Sequence, residues 1–277
     1  MTKSSPIGIF DSGIGGLSVV KRISAHLPSE NIIYFGDTAR VPYGTKSNAT
    51  VIEYSKQDAH FLLRKNVKLI IVACNTASSV AIDVLRKTFK IPVIGMIEPG
   101  AAMAAKVTQN NKIGVIGTHT TINNKAYSKE LKKINPNLEV FEKACPLFVS
   151  LAEEGWVNHK ATSLIAKEYL TELKEAGIDT LILGCTHYPL LADVIQKVVG
   201  NKIKLIDSGL AATEVVDNYL SGRGLKIQSN LEGTYEYYVS DVPTKFKEVA
   251  EMFLGKKILH LNKVELEDLV LDDAKNI

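Results

Sequence analysis

Leu69-Ile70-Ile71-Val72-Ala73-Cys74-Asn75-Thr76 and Thr180-Leu181-Ile182-Leu183-Gly184-Cys185-Thr186-His187 share one pattern: a short, mostly apolar run, a thiol, then polar side chains. An apolar run of that length reads as a buried strand, and the polar residues after it as the start of a helix. The two copies lie 111 residues apart. A second pair, Pro6-Ile7-Gly8-Ile9-Phe10-Asp11 and Lys112-Ile113-Gly114-Val115-Ile116-Gly117, repeats at an offset of 106. Two similar offsets in the same order predict two related α/β halves rather than a short solenoid repeat. Apolar strands resemble one another by chance, so the cysteine ending each second strand is the distinguishing feature. Open α/β sheets bind ligands at the carboxyl ends of their strands. Facing halves would therefore bring Cys74 and Cys185 to one cleft.

The same alternation continues on both sides of these segments. Strands are expected near 7–10, 31–35, 68–73, 92–95, 112–117, 138–141, 180–184 and 204–206, with helices filling the gaps, so the class is α/β with parallel sheets. Leu17, Val20, Ile23 and Leu27 form the apolar stripe of the first helix, and Pro28 closes it. Beyond residue 220 the texture changes to Gly222, Gly224 and Gly233, then Tyr235-Glu236-Tyr237-Tyr238-Val239. That stretch predicts one late strand and a helix from about Pro243. Residues 264–274 read as a short amphipathic helix or a frayed end.

Composition narrows the function classes. Of 277 residues, 45% are hydrophobic and 23% charged, which excludes intrinsic disorder. The 33 basic and 30 acidic residues leave only +3, with no run of bases, so no nucleic-acid partner is signalled. No apolar run approaches the roughly 18 residues of a membrane span, and the residues after Met1 lack the apolar stretch of a signal peptide. A cytoplasmic protein is expected. Cys74, Cys145 and Cys185 contain no C-x-x-C pair, which predicts free thiols and neither a disulfide framework nor a thiolate metal site.

Several residues could carry chemistry. Asp11-Ser12-Gly13-Ile14-Gly15-Gly16 is either a tight capped turn or an anion cradle at a helix start. It fits neither the dinucleotide nor the P-loop pattern. A thiol at a strand end meets helix N–H groups that favour its anion. His187 is close enough to Cys185 to exchange a proton with it. Cys145, in Ala144-Cys145-Pro146, has no polar neighbours in sequence and reads as structural. Tyr43 lies in a turn after the second strand, either packing or walling a pocket. Glu153 and Glu154 beside Trp156 are a solvated helix end or part of a site. A Cys-His hydrolase built on Cys185, and a non-catalytic anion-binding module, remain open on these residues alone.

The combination resembles the cofactor-independent aspartate/glutamate racemase family. The resemblance rests on Ile9 to Gly16, Gly36-Asp37 with Pro42-Tyr43-Gly44, Ala73-Cys74-Asn75-Thr76-Ala77 and Gly117-Thr118. It continues in Cys145-Pro146-Leu147-Phe148-Val149 with Glu153-Glu154-Gly155, in Leu183 to Leu191, and in Ile206-Asp207-Ser208-Gly209. It covers about residues 6–220.

This resemblance implies two pseudo-symmetric α/β domains, 1–97 completed by 207–277, and 98–206, with the active site between them. It implies L- and D-glutamate as substrate, with aspartate as a minor variant, a product used in peptidoglycan, and a homodimer. It implies no pyridoxal phosphate, flavin or metal. Residue by residue, Cys74 and Cys185 become the acid/base thiols, assisted by Asp11, His187 and Glu153. Asp11, Ser12, Tyr43, Gly44, Asn75, Thr76, Thr186 and His187 bind substrate, with Asp37 a supporting carboxylate. Cys74 is assigned to D-glutamate and Cys185 to L-glutamate. The chemistry agrees, because inversion at carbon without a cofactor needs a base on one face and an acid on the other. Ser150, where the family pattern has Pro, and Thr118-His119-Thr120-Thr121, where a small residue is expected near 120, depart from it. Both departures are expected to affect only local packing of the second half.

Overall fold

A computed structural model describes residues 2–242, 244–258 and 260–269. Among these described residues ten strands form two all-parallel sheets: β1 (Ile7–Asp11), β2 (Ile32–Gly36), β3 (Leu69–Val72), β4 (Val93–Ile94), β5 (Lys112–Gly117), β6 (Glu139–Ala144), β7 (Thr180–Gly184), β8 (Lys204–Asp207), β9 (Tyr235–Val239) and β10 (Leu261–Lys263). The first sheet has the order β10-β9-β2-β1-β3-β4 and the second β6-β5-β7-β8. Within the first, β2-β1-β3-β4 repeats the order of the second, so the sequence repeat is a repeat of topology. The segments at offset 106 are the equivalent strands β1 and β5, and the thiol-ending segments are β3 and β7.

Burial explains why these runs are strands. Every residue of β1, β2, β3 and β7 is buried, as expected when helices cover both faces of a parallel sheet. The first helix, Leu17–His26, buries Leu17, Val19, Val20 and Ile23. Leu27, just past its end, returns its N–H to the Ile23 carbonyl before Pro28. The helix Ser208–Gly222 packs against both Leu17–His26 and Ile97–Val107, joining the two sheets. One buried cluster runs through both, from Ile9 and Leu17 to Leu183 and Tyr188.

The late part of the chain departs from expectation. The helix begins at Phe246, and Pro243 itself lies outside the described residues. β10, unforeseen, adds a parallel edge strand to β9. Within 264–274, a 3-10 turn spans Leu266–Leu269, and residues 270–274 lie outside the described residues. Among the described residues no helix is long and apolar enough to cross a membrane.

Candidate active site

The carboxyl ends of β1, β3, β5 and β7 converge on a cavity between the sheets. Ser12, Tyr43, Gly44, Cys74, Asn75, Thr76, Glu153, Cys185, Thr186 and His187 line it. Asp11 lies beneath it, fully buried. Cys145 does not reach it. That cysteine is buried in the core, its backbone carbonyl held at 2.8 Å by the Tyr188 hydroxyl.

The two thiols occupy equivalent strand ends in unlike surroundings. Cys74 caps the helix Asn75–Thr88: its sulfur accepts the Ala77 N–H at 3.5 Å and lies 3.5 Å from Ser12 Oγ. Burial and then the Asp11 carboxylate push this thiol up to about 12, against the pull of those two hydrogen bonds. Cys185 faces a histidine instead, with its sulfur 3.7 Å from His187 Nδ1. The other ring nitrogen, Nε2, lies 2.8 Å from Glu153 Oε1. Burial alone would lower the histidine, but its hydrogen bonds to Cys185 and Glu153, with their negative charges, carry it up to about 10. An imidazolium so placed donates to both neighbours.

The glycine-rich turn is not an open anion cradle. Asp11 Oδ2 accepts the N–H groups of Gly13 at 3.2 Å and Gly16 at 3.0 Å, so the protein's own carboxylate fills those donors. Its other oxygen, Oδ1, is buried without a hydrogen-bond partner. Burial raises this carboxyl, opposed by the His187 charge and the turn's N–H groups. The glycines permit close approach. A Cβ on Gly16 would collide with Asp11 Cβ, and one on Gly15 would sit 2.5 Å from the His187 ring.

Polar contacts between the halves hold the cavity walls. Thr76 Oγ1 lies 2.8 Å from Thr118 Oγ1, Ser18 Oγ donates to the Thr186 carbonyl at 2.9 Å, and Tyr127 donates to Asn75 Oδ1 at 2.7 Å. Thr120 Oγ1 donates to the Gly44 carbonyl at 2.9 Å. The 118–121 segment is therefore not confined to packing of its own half, contrary to expectation, because its hydroxyls reach across and fix the turn that carries Tyr43. Ser150 is exposed on the helix Leu147–Glu153.

Gly13, Val41, Pro42, Thr118 and Val149 also line the cavity, and no role was foreseen for them. The repeat contained the signal for Thr118, since an offset of 106 maps Ser12 onto it. The apolar walls Val41 and Val149 carry no chemical signature. Among the described residues, no group of three or more His, Cys, Asp or Glu is arranged to hold a metal ion.

Two parallel α/β sheets thus present one thiol each, Cys74 and Cys185, to a shared cavity. The chain belongs to the Asp/Glu/hydantoin racemase family, matching it over residues 8–216. Within that family it is similar to glutamate racemases. The glutamate racemase of Geobacter metallireducens is 53% identical over 94% of this chain and 97% of that protein. The crystal structure of the Francisella tularensis glutamate racemase in complex with D-glutamate superposes with a TM-score of 0.89 at 45% identity, covering 96% of this chain and 99% of that one. A glutamate racemase isoform from Bacillus anthracis gives 0.91 at 38% identity, covering 95% and 98%. These likenesses do not favour the hydrolase, the binding module or an aspartate-specific enzyme.

Proposed function

We propose that this protein is a glutamate racemase in which Cys74 and Cys185 exchange protons with opposite faces of the substrate α-carbon. The observation that carries the reading is that both thiols line one cavity from equivalent strand ends of the two sheets. Their unlike partners support a division of labour. The raised Cys74 thiol holds its proton at rest, whereas Cys185 faces the His187 imidazolium, a partner suited to anionic sulfur. In one direction the Cys185 sulfur takes the α-proton from one face and Cys74 delivers its own proton to the other. The enzyme is left in the opposite protonation form, ready for the reverse turnover. Asp11 and the His187–Glu153 pair assist the two sulfurs.

Ser12, the Tyr43-Gly44 turn, Asn75, Thr76 and Thr186 supply hydrogen-bond donors for the two substrate carboxylates and the charge that develops on deprotonation. Asp37 supports Tyr43 from behind. The division into 1–97 with 207–277 and 98–206, a homodimeric state, a cytoplasmic location and a role in supplying D-glutamate to peptidoglycan belong to the same reading.

Incubating the purified protein with L-glutamate in D2O, without added cofactor, tests it. D-glutamate carrying α-deuterium is expected. Unchanged, undeuterated L-glutamate would end the proposal.

A further inference from the structure

Behind Tyr43, on the side away from the cavity, lies a cluster of charges closed off from solvent. Asp37 and Asp58 are fully buried, Tyr43 is 1% exposed and the Arg40 side chain 12%. Arg40 Nε donates to Asp37 Oδ2 at 2.7 Å and Nη2 to Asp58 Oδ1 at 3.1 Å. Ser240 Oγ donates to Asp37 Oδ1 at 2.9 Å. The Tyr43 hydroxyl oxygen lies 2.5 Å from Asp37 Oδ2 and 3.0 Å from Asp58 Oδ2.

Counting hydrogens decides the state of this cluster. A phenol has one proton and can donate to only one of the two carboxyl groups. The shorter contact, to Asp37, takes it. At 3.0 Å the remaining contact would set phenol lone pairs against those of a carboxylate, unless Asp58 Oδ2 itself bears hydrogen. Counting charges gives the same answer. Two carboxylates and one guanidinium leave a negative charge buried and uncompensated, which desolvation strongly disfavours, and Asp11 adds further negative charge nearby. One proton neutralises the set.

We propose that Asp58 is a neutral carboxylic acid donating to the Tyr43 hydroxyl, and that the Asp37–Tyr43–Asp58 chain, clamped by Arg40, positions the 42–44 turn of the substrate cavity. The second half of this statement rests on the racemase reading. Burial and then the Asp37 charge lift the Asp58 carboxyl well above the usual carboxylate range, against the pull of Arg40. Burial and the Asp37 charge keep the Tyr43 phenol protonated, against the pull of Arg40. The turn is gripped from the opposite side by Thr120 on the Gly44 carbonyl, so a loose Tyr43 would free only one end of it.

Infrared difference spectra of protein labelled with 13C-aspartate test the protonation at neutral pH. A label-sensitive acid carbonyl band that vanishes in Asp58→Asn is expected, and its absence from the native protein, or its survival in the variant, overturns the proposal. This spectrum needs no substrate, so it decides the protonation whether or not the protein racemises glutamate. Kinetics test the positioning. The Asp58→Asn amide can still accept from Arg40 and donate to Tyr43, so KM for glutamate stays near native. Asp58→Ala loses both and raises KM roughly tenfold, with a smaller change in kcat, the scale of one buried hydrogen bond. If Asp58→Asn raises KM as much as Asp58→Ala, the neutral acid is refuted. If Asp58→Ala fails to fold, the Asp58→Asn kinetics and the spectrum decide.

Discussion

Nε2 of His187 stands 2.8 Å from Oε1 of Glu153, joining an imidazole that is buried to a carboxylate that is 45% exposed. The pair therefore connects the Cys185 side of the cavity to solvent while holding the ring's orientation.

The sign of its pH dependence follows from the raised histidine. Free imidazole titrates at 6.5 and His187 at about 10. The folded protein thus keeps a proton that the unfolded chain releases between those values. The stabilisation is complete below the lower value and is lost as pH climbs through the upper one. Glu153→Gln removes a hydrogen-bonded charge and is expected to bring the alkaline loss of both Tm and kcat to lower pH by about one unit. Melting curves and rates across the neutral-to-alkaline range check this, and superimposable profiles for native and variant protein would refute it.

Cys74→Ala and Cys185→Ala are each expected to abolish racemisation in both directions, because either loss leaves one face of the substrate without a proton carrier. Cys145→Ala should keep turnover while costing about 1 kcal/mol of stability, through a small core void. Chiral chromatography of glutamate after incubation measures the first, and urea unfolding the second. Near-native turnover in either of the first two variants would contradict the two-thiol mechanism.

Serine variants separate the two faces. Ser is too weak an acid to serve as the base, yet the remaining thiol can still take an α-proton from its own face. With a β-chloro glutamate analogue, loss of that proton and departure of chloride complete an elimination that needs no returning proton. Cys74→Ser and Cys185→Ser should each eliminate from one enantiomer only, with opposite preferences. Chloride release from both enantiomers is the measurement, and the same preference in both variants would rule out opposed thiols.

Gly15→Ala should damage catalysis more than stability. The added methyl would meet the His187 ring and the Thr186 hydroxyl across the cleft. Overpacking of this kind costs about 1–3 kcal/mol, and displacing His187 should lower kcat about tenfold or more. Parallel kinetics and thermal melts distinguish this from simple unfolding, in which Tm would fall while the surviving folded enzyme kept its native kcat.

Lys68→Met should do the reverse. Lys68 and Glu30 form a fully buried ion pair at the base of the first sheet, and Lys68 also donates to the Lys3 and Leu225 carbonyls. Removing one partner strands the other charge, a loss of about 3–5 kcal/mol. Denaturant midpoints should fall sharply, with kcat and KM unchanged at temperatures where the variant stays folded. A KM shift without destabilisation would show that the pair communicates with the cavity.

Much of this architecture was legible in the residues. Buried parallel strands must be apolar throughout, so β1, β3, β5 and β7 stand out as runs, and their ends mark where ligands bind. Repetition of the thiol at the ends of β3 and β7 then pointed to one cleft. Even the two-residue edge strand β4 falls inside the 92–95 run, whereas the edge strand β10, Leu261-Asn262-Lys263, has a single apolar side chain that no periodicity argument detects.

The amino-acid order alone determined the α/β class, the duplication and the candidate thiols, because each is encoded locally: a period, a strand end, a residue type. Only the tertiary structure decided which donors remain available and which charges meet. Asp11 consumes the N–H groups of its own turn, Thr120 reaches 76 residues back to Gly44, and Asp58 leaves the solvated face expected of a helical acid to share a buried site with Asp37 and Arg40. Hydrogen bonds and burial at such separations depend on how the chain closes on itself. Nothing in the sequence beside Asp58 distinguishes it from a surface carboxylate, whereas its surroundings in the fold do.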